Sequence, residues 1–131
     1  MISVIVPVYN GRLTLDACLK AVYRSKGCPG FEVIVVDDGS TDSSPEVAAK
    51  YPCRLIRLDR NRGRSRARNL GAAEAGHEIL VFIDADVVIP ENALSLVADF
   101  FAGRPDVSAV SGLLDDACPF PDFSASTRTC T

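Results

Sequence analysis

Three acidic or polar clusters stand out as residues able to do chemistry, and each follows an apolar run. Tyr9-Asn10 follows Ile2–Val8, Asp37-Asp38-Gly39-Ser40 follows Phe31–Val36, and Asp84-Ala85-Asp86 follows Glu78–Ile83. Two carboxylates one residue apart, as in Asp84 and Asp86, can approach a single hard cation. Mg2+ and Mn2+ prefer oxygen ligands and are often held by one or two carboxylates together with substrate phosphates. Such an ion neutralises a diphosphate leaving group. The plainer reading is an acidic turn that caps the helix opening at Pro90. Asp37 and Asp38 also carry two readings: they cap a helix, or a carboxylate there accepts hydrogen bonds from a nucleobase N–H or a ribose hydroxyl.

Between these clusters lie six arginines, Arg57, Arg60, Arg62, Arg64, Arg66 and Arg68. A guanidinium matches phosphate geometry. On a helix Arg64 and Arg68 share one face, while Arg66 points elsewhere. Most of the cluster therefore reads as a solvated basic loop and helix start, with one or two side chains free to clamp a phosphate. Nucleic acid is a poor fit as ligand, because this stretch lacks interleaved aromatics and the net charge is −3. His77, the single histidine, precedes a strand, has no nucleophile motif around it and reads as structural. No G-x-G-x-x-G and no G-x-x-x-x-G-K-[ST] occurs, which removes the main support for a dinucleotide site or a P-loop. The five cysteines form no C-x-x-C pair, so a zinc site is not expected and the thiols fit a reducing cytoplasm.

The elements that must position these residues alternate. Strands are predicted near residues 2–7, 31–36, 54–58 and 78–83, with a fifth at 107–110. Helices are predicted at about 13–23, from Ser43 or Ser44 to Tyr51, at 65–75, and from Pro90 to about Ala102. The continuous apolar run Ile2–Val6 marks a strand buried on both faces. Leu15, Cys18, Leu19 and Val22 recur at helical spacing. Alternating strands and helices imply a mostly parallel sheet with helices on both faces. Ligands of such sheets sit beyond the carboxyl ends of the strands, where the three clusters fall. At 131 residues and 47% hydrophobic, the chain suits one domain with a real core, and it holds no apolar run long enough to span a bilayer. The N-terminal run lacks the basic region and cleavage site of a secretory signal.

Taken together, Val6-Pro7-Val8-Tyr9-Asn10, Val36-Asp37-Asp38-Gly39-Ser40-Thr41-Asp42, Asn61-Arg62-Gly63 with Ala67-Arg68-Asn69-Leu70-Gly71, and Phe82-Ile83-Asp84-Ala85-Asp86 resemble the family 2 glycosyltransferases in order and spacing. The resemblance covers roughly residues 2–112. It implies an α/β, Rossmann-like GT-A fold, truncated here: residues 1–112 as the nucleotide-sugar-binding half and 113–131 as an irregular tail beginning the acceptor half. It implies that Pro7 and Tyr9 pack against the nucleobase and that Asp38 binds it. Basic side chains near Arg66 and Arg68 would face the diphosphate, Asp84 would sit near the ribose or the metal, and Asp86 would ligate Mg2+ or Mn2+. The reaction implied is inverting transfer from a UDP- or GDP-linked sugar to a glycan, lipid or protein acceptor, in the pattern of cell-envelope polysaccharide biosynthesis. Its general base is expected beyond Thr131; Asp115 and Asp116 come too early to match it. A cytoplasmic chain, membrane-associated in its full-length form, is expected, with self-association through an exposed edge. A non-catalytic nucleotide-sugar-binding module and a sugar nucleotidyltransferase are the alternatives. The second would want a basic Gly-rich loop after the first strand, and Gly11-Arg12 is a poor version of one.

Overall fold

A computed structural model of the chain describes residues 1–112. The expected tail at 113–131, with Cys118 and Cys130, lies outside the described residues. The elements run β1 (Ile2–Val8), α1 (Leu15–Tyr23), β2 (Phe31–Asp37), α2 (Ser44–Ala48), β3 (Arg54–Arg57), α3 (Arg64–Glu74), β4 (Ile79–Phe82) and α4 (Ala93–Gly103). The four strands form one sheet in the order β3-β2-β1-β4, and every pairing is parallel. β1 pairs with β2 from Ile2↔Phe31 to Val8↔Asp37 and with β4 from Ile2↔Ile79 to Ile5↔Phe82.

The alternation of side chains sorts the core into two layers. Ile2, Val4, Val6 and Val8 of β1, with Val33 and Val35 of β2, meet Leu15, Cys18, Leu19 and Val22 of α1, Ala48 of α2 and Leu94 of α4. Ile34 and Val36 face the opposite way, onto Ala67 and Leu70 of α3. Every residue of β1 is buried, as an inner parallel strand covered on both faces requires. α3 approaches the sheet closely because Gly71 has no side chain. A Cβ there would stand 2.4 Å from Ile5 Cγ2 and 3.2 Å from Val36 Cγ2.

Three expectations are corrected. The segment 107–110 forms no strand: β4 takes the outer position, and Val110 is exposed rather than paired. α2 spans only Ser44–Ala48 and neither Ser43 nor Ser44 caps it through its side chain, because the Ser44 hydroxyl is engaged elsewhere. α4 begins at Ala93, after a turn in which Ala93 N–H donates to Pro90 O at 3.0 Å. No described helix is long and apolar enough to cross a membrane. Among the described residues, Cys18, Cys28 and Cys53 form no disulfide.

At the amino-terminal edge, Ser3 Oγ donates to Glu32 Oε1 at 2.5 Å, and Gly76 N–H donates to the same oxygen at 2.6 Å. His77 enters this clamp through its backbone N–H, which donates to Ser3 Oγ at 3.1 Å. These bonds, the Ser3 hydroxyl foremost, hold the Glu32 carboxyl below its ordinary range.

Candidate functional site

The chain runs β1-β2-β3 in one direction and then crosses back to place β4 on the other side of β1. That reversal opens a crevice at the carboxyl ends of the strands, the usual ligand position in such sheets. A cleft of about 740 Å3 occupies it, lined by Pro7–Gly11, Leu13, Thr14, Asp38, Asn61, Gly63, Arg64, Ala67 and Asp84–Asp86.

Its first wall is the loop after β1, held by the loop after β2. Asn10 adopts a left-handed φ of 50°, which Asn tolerates better than most residues. Asn10 N–H donates to Ser40 Oγ at 2.9 Å, Gly11 N–H to Ser44 Oγ at 2.9 Å and Arg12 N–H to Asp42 Oδ2 at 3.1 Å. Thr41 N–H returns a bond to Asn10 Oδ1 at 2.8 Å. The Ser40-to-Ser44 stretch is thus a clamp on Asn10–Arg12. Burial pushes the Asp42 carboxyl up, but bonds from the Ser44 hydroxyl, Ser44 N–H and Arg12 N–H outweigh it and leave the group below its ordinary range. Tyr9, 50% exposed, and Leu13, 81% exposed, form an apolar rim on the cleft.

The second wall depends on Asp38. Its Oδ1 accepts Arg62 N–H at 2.8 Å and its Oδ2 accepts Gly63 N–H at 3.0 Å. Gly39, at φ 75°, lets the loop close down, since a Cβ there would lie 2.4 Å from the Arg60 carbonyl carbon. Position at a strand end suggests a residue outside the core, but Asp38 is only 3% exposed. Each carboxylate oxygen accepts two hydrogen bonds, so one lone pair on each remains for a ligand. Its neighbour Asp37 is fully buried, accepts Ser40 N–H at 3.1 Å and faces Arg57 Nε at 3.5 Å.

The third wall is the acidic turn after β4. Cys18 Sγ donates to Asp84 O at 3.6 Å, and burial, then the charges of Asp86 and Asp84, push this thiol up to about 12, so it stays protonated. Asp84 lies between two arginines of α3: Arg68 Nη2 donates to Oδ1 at 2.8 Å, and Arg64 Nη1 stands 4.0 Å from Oδ2. Asp86 lines the same cleft and forms no ion pair among the described residues.

Pro7, Tyr9, Asp38, Asp84 and Asp86 therefore converge on one cleft, as their positions in the sequence suggest. The arginines need correcting. Arg66 is exposed and lines neither cavity, because two residues along a helix turn the side chain away from Arg64 and Arg68. Arg64 stands on the cleft instead. Arg68 lies behind Asp84, in a second and largely apolar cavity of about 1140 Å3 between β4, α4 and residues 107–112. Sequence reasoning also missed Asn61, Leu13 and Thr14. Helical spacing from Arg68 points to Arg64, and Asn61 stands in the Asn61-Arg62-Gly63 motif; nothing local marks Leu13 or Thr14.

For a divalent cation, the described residues hold no cluster of three or more His, Cys, Asp or Glu. Among the described residues, the donor set is one carboxylate without an ion pair, Asp86, and one engaged by arginine, Asp84. That set is too small for an all-protein cage but fits Mg2+ or Mn2+ completed by substrate phosphates.

These features define an α/β domain of the GT-A type. The Glycosyl transferase family 2 model matches residues 3–128, and the chain belongs to that family. It is 31% identical over 115 residues to poly-beta-1,6-N-acetyl-D-glucosamine synthase of Staphylococcus epidermidis, covering 85% of this chain and 28% of that protein. It is 30% identical over 111 residues to dolichol-phosphate mannosyltransferase of Pyrococcus furiosus, covering 82% of this chain and 32% of that one. Among solved structures, S. aureus TarS 1–349 in complex with UDP superposes with a TM-score of 0.75 at 31% identity, over 79% of this chain and 32% of that one. Mannosyltransferase PcManGT of Pyrobaculum calidifontis, in complex with GDP-Man and Mn2+, gives 0.65 at 32% identity, over 74% and 30%. The chain thus spans about a third of the length of the relatives it matches.

Proposed function

We propose that the cleft binds the nucleoside diphosphate part of a sugar donor, and that the protein transfers the sugar to an acceptor with inversion. The observation that carries this reading is the convergence of Tyr9, Asp38, Arg64, Asp84 and Asp86 on one cleft at the strand-order reversal. The UDP bound to TarS and the GDP-Man bound to PcManGT support it. In this reading Pro7, Tyr9 and Leu13 present an apolar wall to the base, and Asp38 offers a remaining lone pair to a base N–H. Asp84 accepts from the ribose. Arg64 faces the diphosphate, where a guanidinium fork suits phosphate oxygens.

Asp86, with Asp84 beside it, would hold Mg2+ or Mn2+, whose chemistry is to neutralise the departing diphosphate. The chain's own residues orient the donor and compensate its charge. A base outside the described residues takes the acceptor's proton. The acceptor is a glycan, lipid or protein, and a membrane-associated full-length enzyme of cell-envelope assembly fits the relatives named above.

A thermal-shift panel of UDP, GDP, CDP and ADP tests the donor reading. A ligand at 100 times its Kd stabilises the folded state by about 2.7 kcal/mol. We expect a rise with UDP or GDP in Mn2+. No shift with any of the four would overturn the reading.

A further inference from the structure

We propose that a second copy of this chain covers the groove between β4 and α4, the two copies joined edge to edge through antiparallel β4 strands about a two-fold axis. The two edges of the sheet are unlike. β3 closes one edge with four residues, and Arg54 and Arg57 at its ends are exposed. A short strand that carries charge guards a sheet edge against a further strand. β4 closes the other edge with Ile79-Leu80-Val81-Phe82, which has neither a charge nor a proline. Half of its backbone is open. Ile83 N–H donates to Ile5 O at 3.0 Å, so the odd-numbered residues turn to β1, and the N–H and C=O groups of Leu80 and Phe82 point outward. Among the described residues no backbone group bonds to them.

The wall beside this edge is apolar as well. Of the 22 residues that line the groove, only Arg68, Glu78 and Asp84 are charged. Phe82, Leu96 and Val110 on that wall are 45%, 58% and 52% exposed. A standard interface takes about 20–30 residues from each side, and the core of a homodimer interface is depleted of charge. The groove meets both measures. Charge selects the partner. Glu78 stands before the amino end of β4, whereas Arg68 and Asp84 meet at its carboxyl end. Antiparallel pairing carries the Glu78 of each copy toward the Arg68 of the other and keeps the two Glu78 side chains apart. Such a pair closes on itself, covers both β4 edges and leaves the guarded β3 edges outermost. The four strands of each copy then form one continuous sheet, with the two clefts at opposite ends. This pairing holds whether or not the cleft binds a nucleotide.

The test follows the full 131-residue chain by sedimentation velocity over about a hundredfold range of concentration, since monomer and dimer exchange by mass action. The expected result is a closed monomer–dimer equilibrium with no larger species. Amide hydrogen exchange at both ends of that range should protect Leu80 and Phe82 only where the dimer is populated, and Val81, already turned to β1, throughout. Phe82→Lys puts a charge on the edge, and Leu96→Glu puts one on the exposed wall of α4; the two-fold presents each charge twice. Each should weaken the dimer at least about tenfold. Leu13→Glu, at an exposed apolar site away from the groove, should leave it within about twofold.

A chain that stays monomeric across the range overturns the proposal, and so does open-ended association. A dimer whose Leu80 and Phe82 amides exchange as fast as in the monomer also overturns it, because the contact then lies elsewhere. If Phe82→Lys does not fold, Leu96→Glu decides, since that side chain already faces solvent; an undiminished dimer there, or equal weakening by Leu13→Glu, overturns the proposal. A monomer that sediments with phosphatidylcholine vesicles would assign the groove to lipid instead.

Discussion

Asp38→Asn changes one atom of a buried side chain, and its consequence can be worked out. The carboxylate accepts Arg62 N–H at 2.8 Å and Gly63 N–H at 3.0 Å. A hydrogen bond to a charged acceptor contributes about 1.5–3 kcal/mol, and a neutral one about 0.5–1.5 kcal/mol. Asn keeps one acceptor, now neutral, and turns an NH2 toward the other backbone N–H. That N–H, left without a partner at a site only 3% exposed, costs about 1–3 kcal/mol. The sum is a loss of about 2–4 kcal/mol. For a chain of 131 residues the melting temperature falls about 3–6 °C per kcal/mol, hence roughly 6–24 °C. Differential scanning calorimetry measures it directly, and UDP titration well below the transition separates binding from folding. A fall of less than about 3 °C would refute the reasoning, because it would mean that the two bonds do not hold the loop that carries Asn61 and Gly63. Loss of UDP binding without loss of stability would assign Asp38 to the base alone.

Other substitutions and conditions test separate links. Arg64→Ala should weaken UDP binding roughly 10- to 150-fold, since one charged hydrogen bond of about 1.5–3 kcal/mol is lost, while Arg66→Ala should leave it within twofold by calorimetry. Gly71→Ala places a Cβ 2.4 Å from Ile5 Cγ2, so α3 must move outward. Overpacking of about 1–3 kcal/mol exceeds the gain in helix propensity of up to about 1 kcal/mol, and urea unfolding should show a net loss of about 1–2 kcal/mol. Glu32 and Asp42 hold fewer protons folded than unfolded in the acid range, because their carboxyls lie below the ordinary values of 4.5 and 3.8. Their contribution is complete above the unfolded values and is lost as pH falls through the depressed folded ones. Urea midpoints from pH 7 to pH 3 should therefore fall below about pH 4.5, and less steeply in Glu32→Gln.

Much of the scaffold was legible because single-segment patterns carried it. Ile2–Val6 and Phe31–Val36 are continuous apolar runs, and only strands covered on both faces want that. The carboxyl-end position of Tyr9, Asp38, Asp84 and Asp86 follows from the same reading. What stayed hidden depends on distant partners. Nothing near Asp38 says that its carboxylate will meet N–H groups 24 and 25 residues away. Ser44 looks like a helix cap until Gly11 N–H arrives at its hydroxyl. Val107–Val110 has strand composition, but composition does not supply a neighbour to pair with. The arginines were partly readable: helical geometry separates Arg66 from Arg64 and Arg68, whereas the family resemblance drew attention to Arg66, which lines neither cavity.

The central claim is a donor cleft in which nucleotide and cation support one another, and one titration meets it directly. UDP is titrated into the chain in Mn2+ and again in EDTA, for wild type and Asp86→Asn. Linkage requires that a cation shared between Asp86 and the phosphates tighten UDP binding, typically by 5- to 150-fold. Wild type should show that gain and Asp86→Asn little of it. Equal UDP affinity in Mn2+ and EDTA, with Asp86→Asn indistinguishable from wild type, would contradict it.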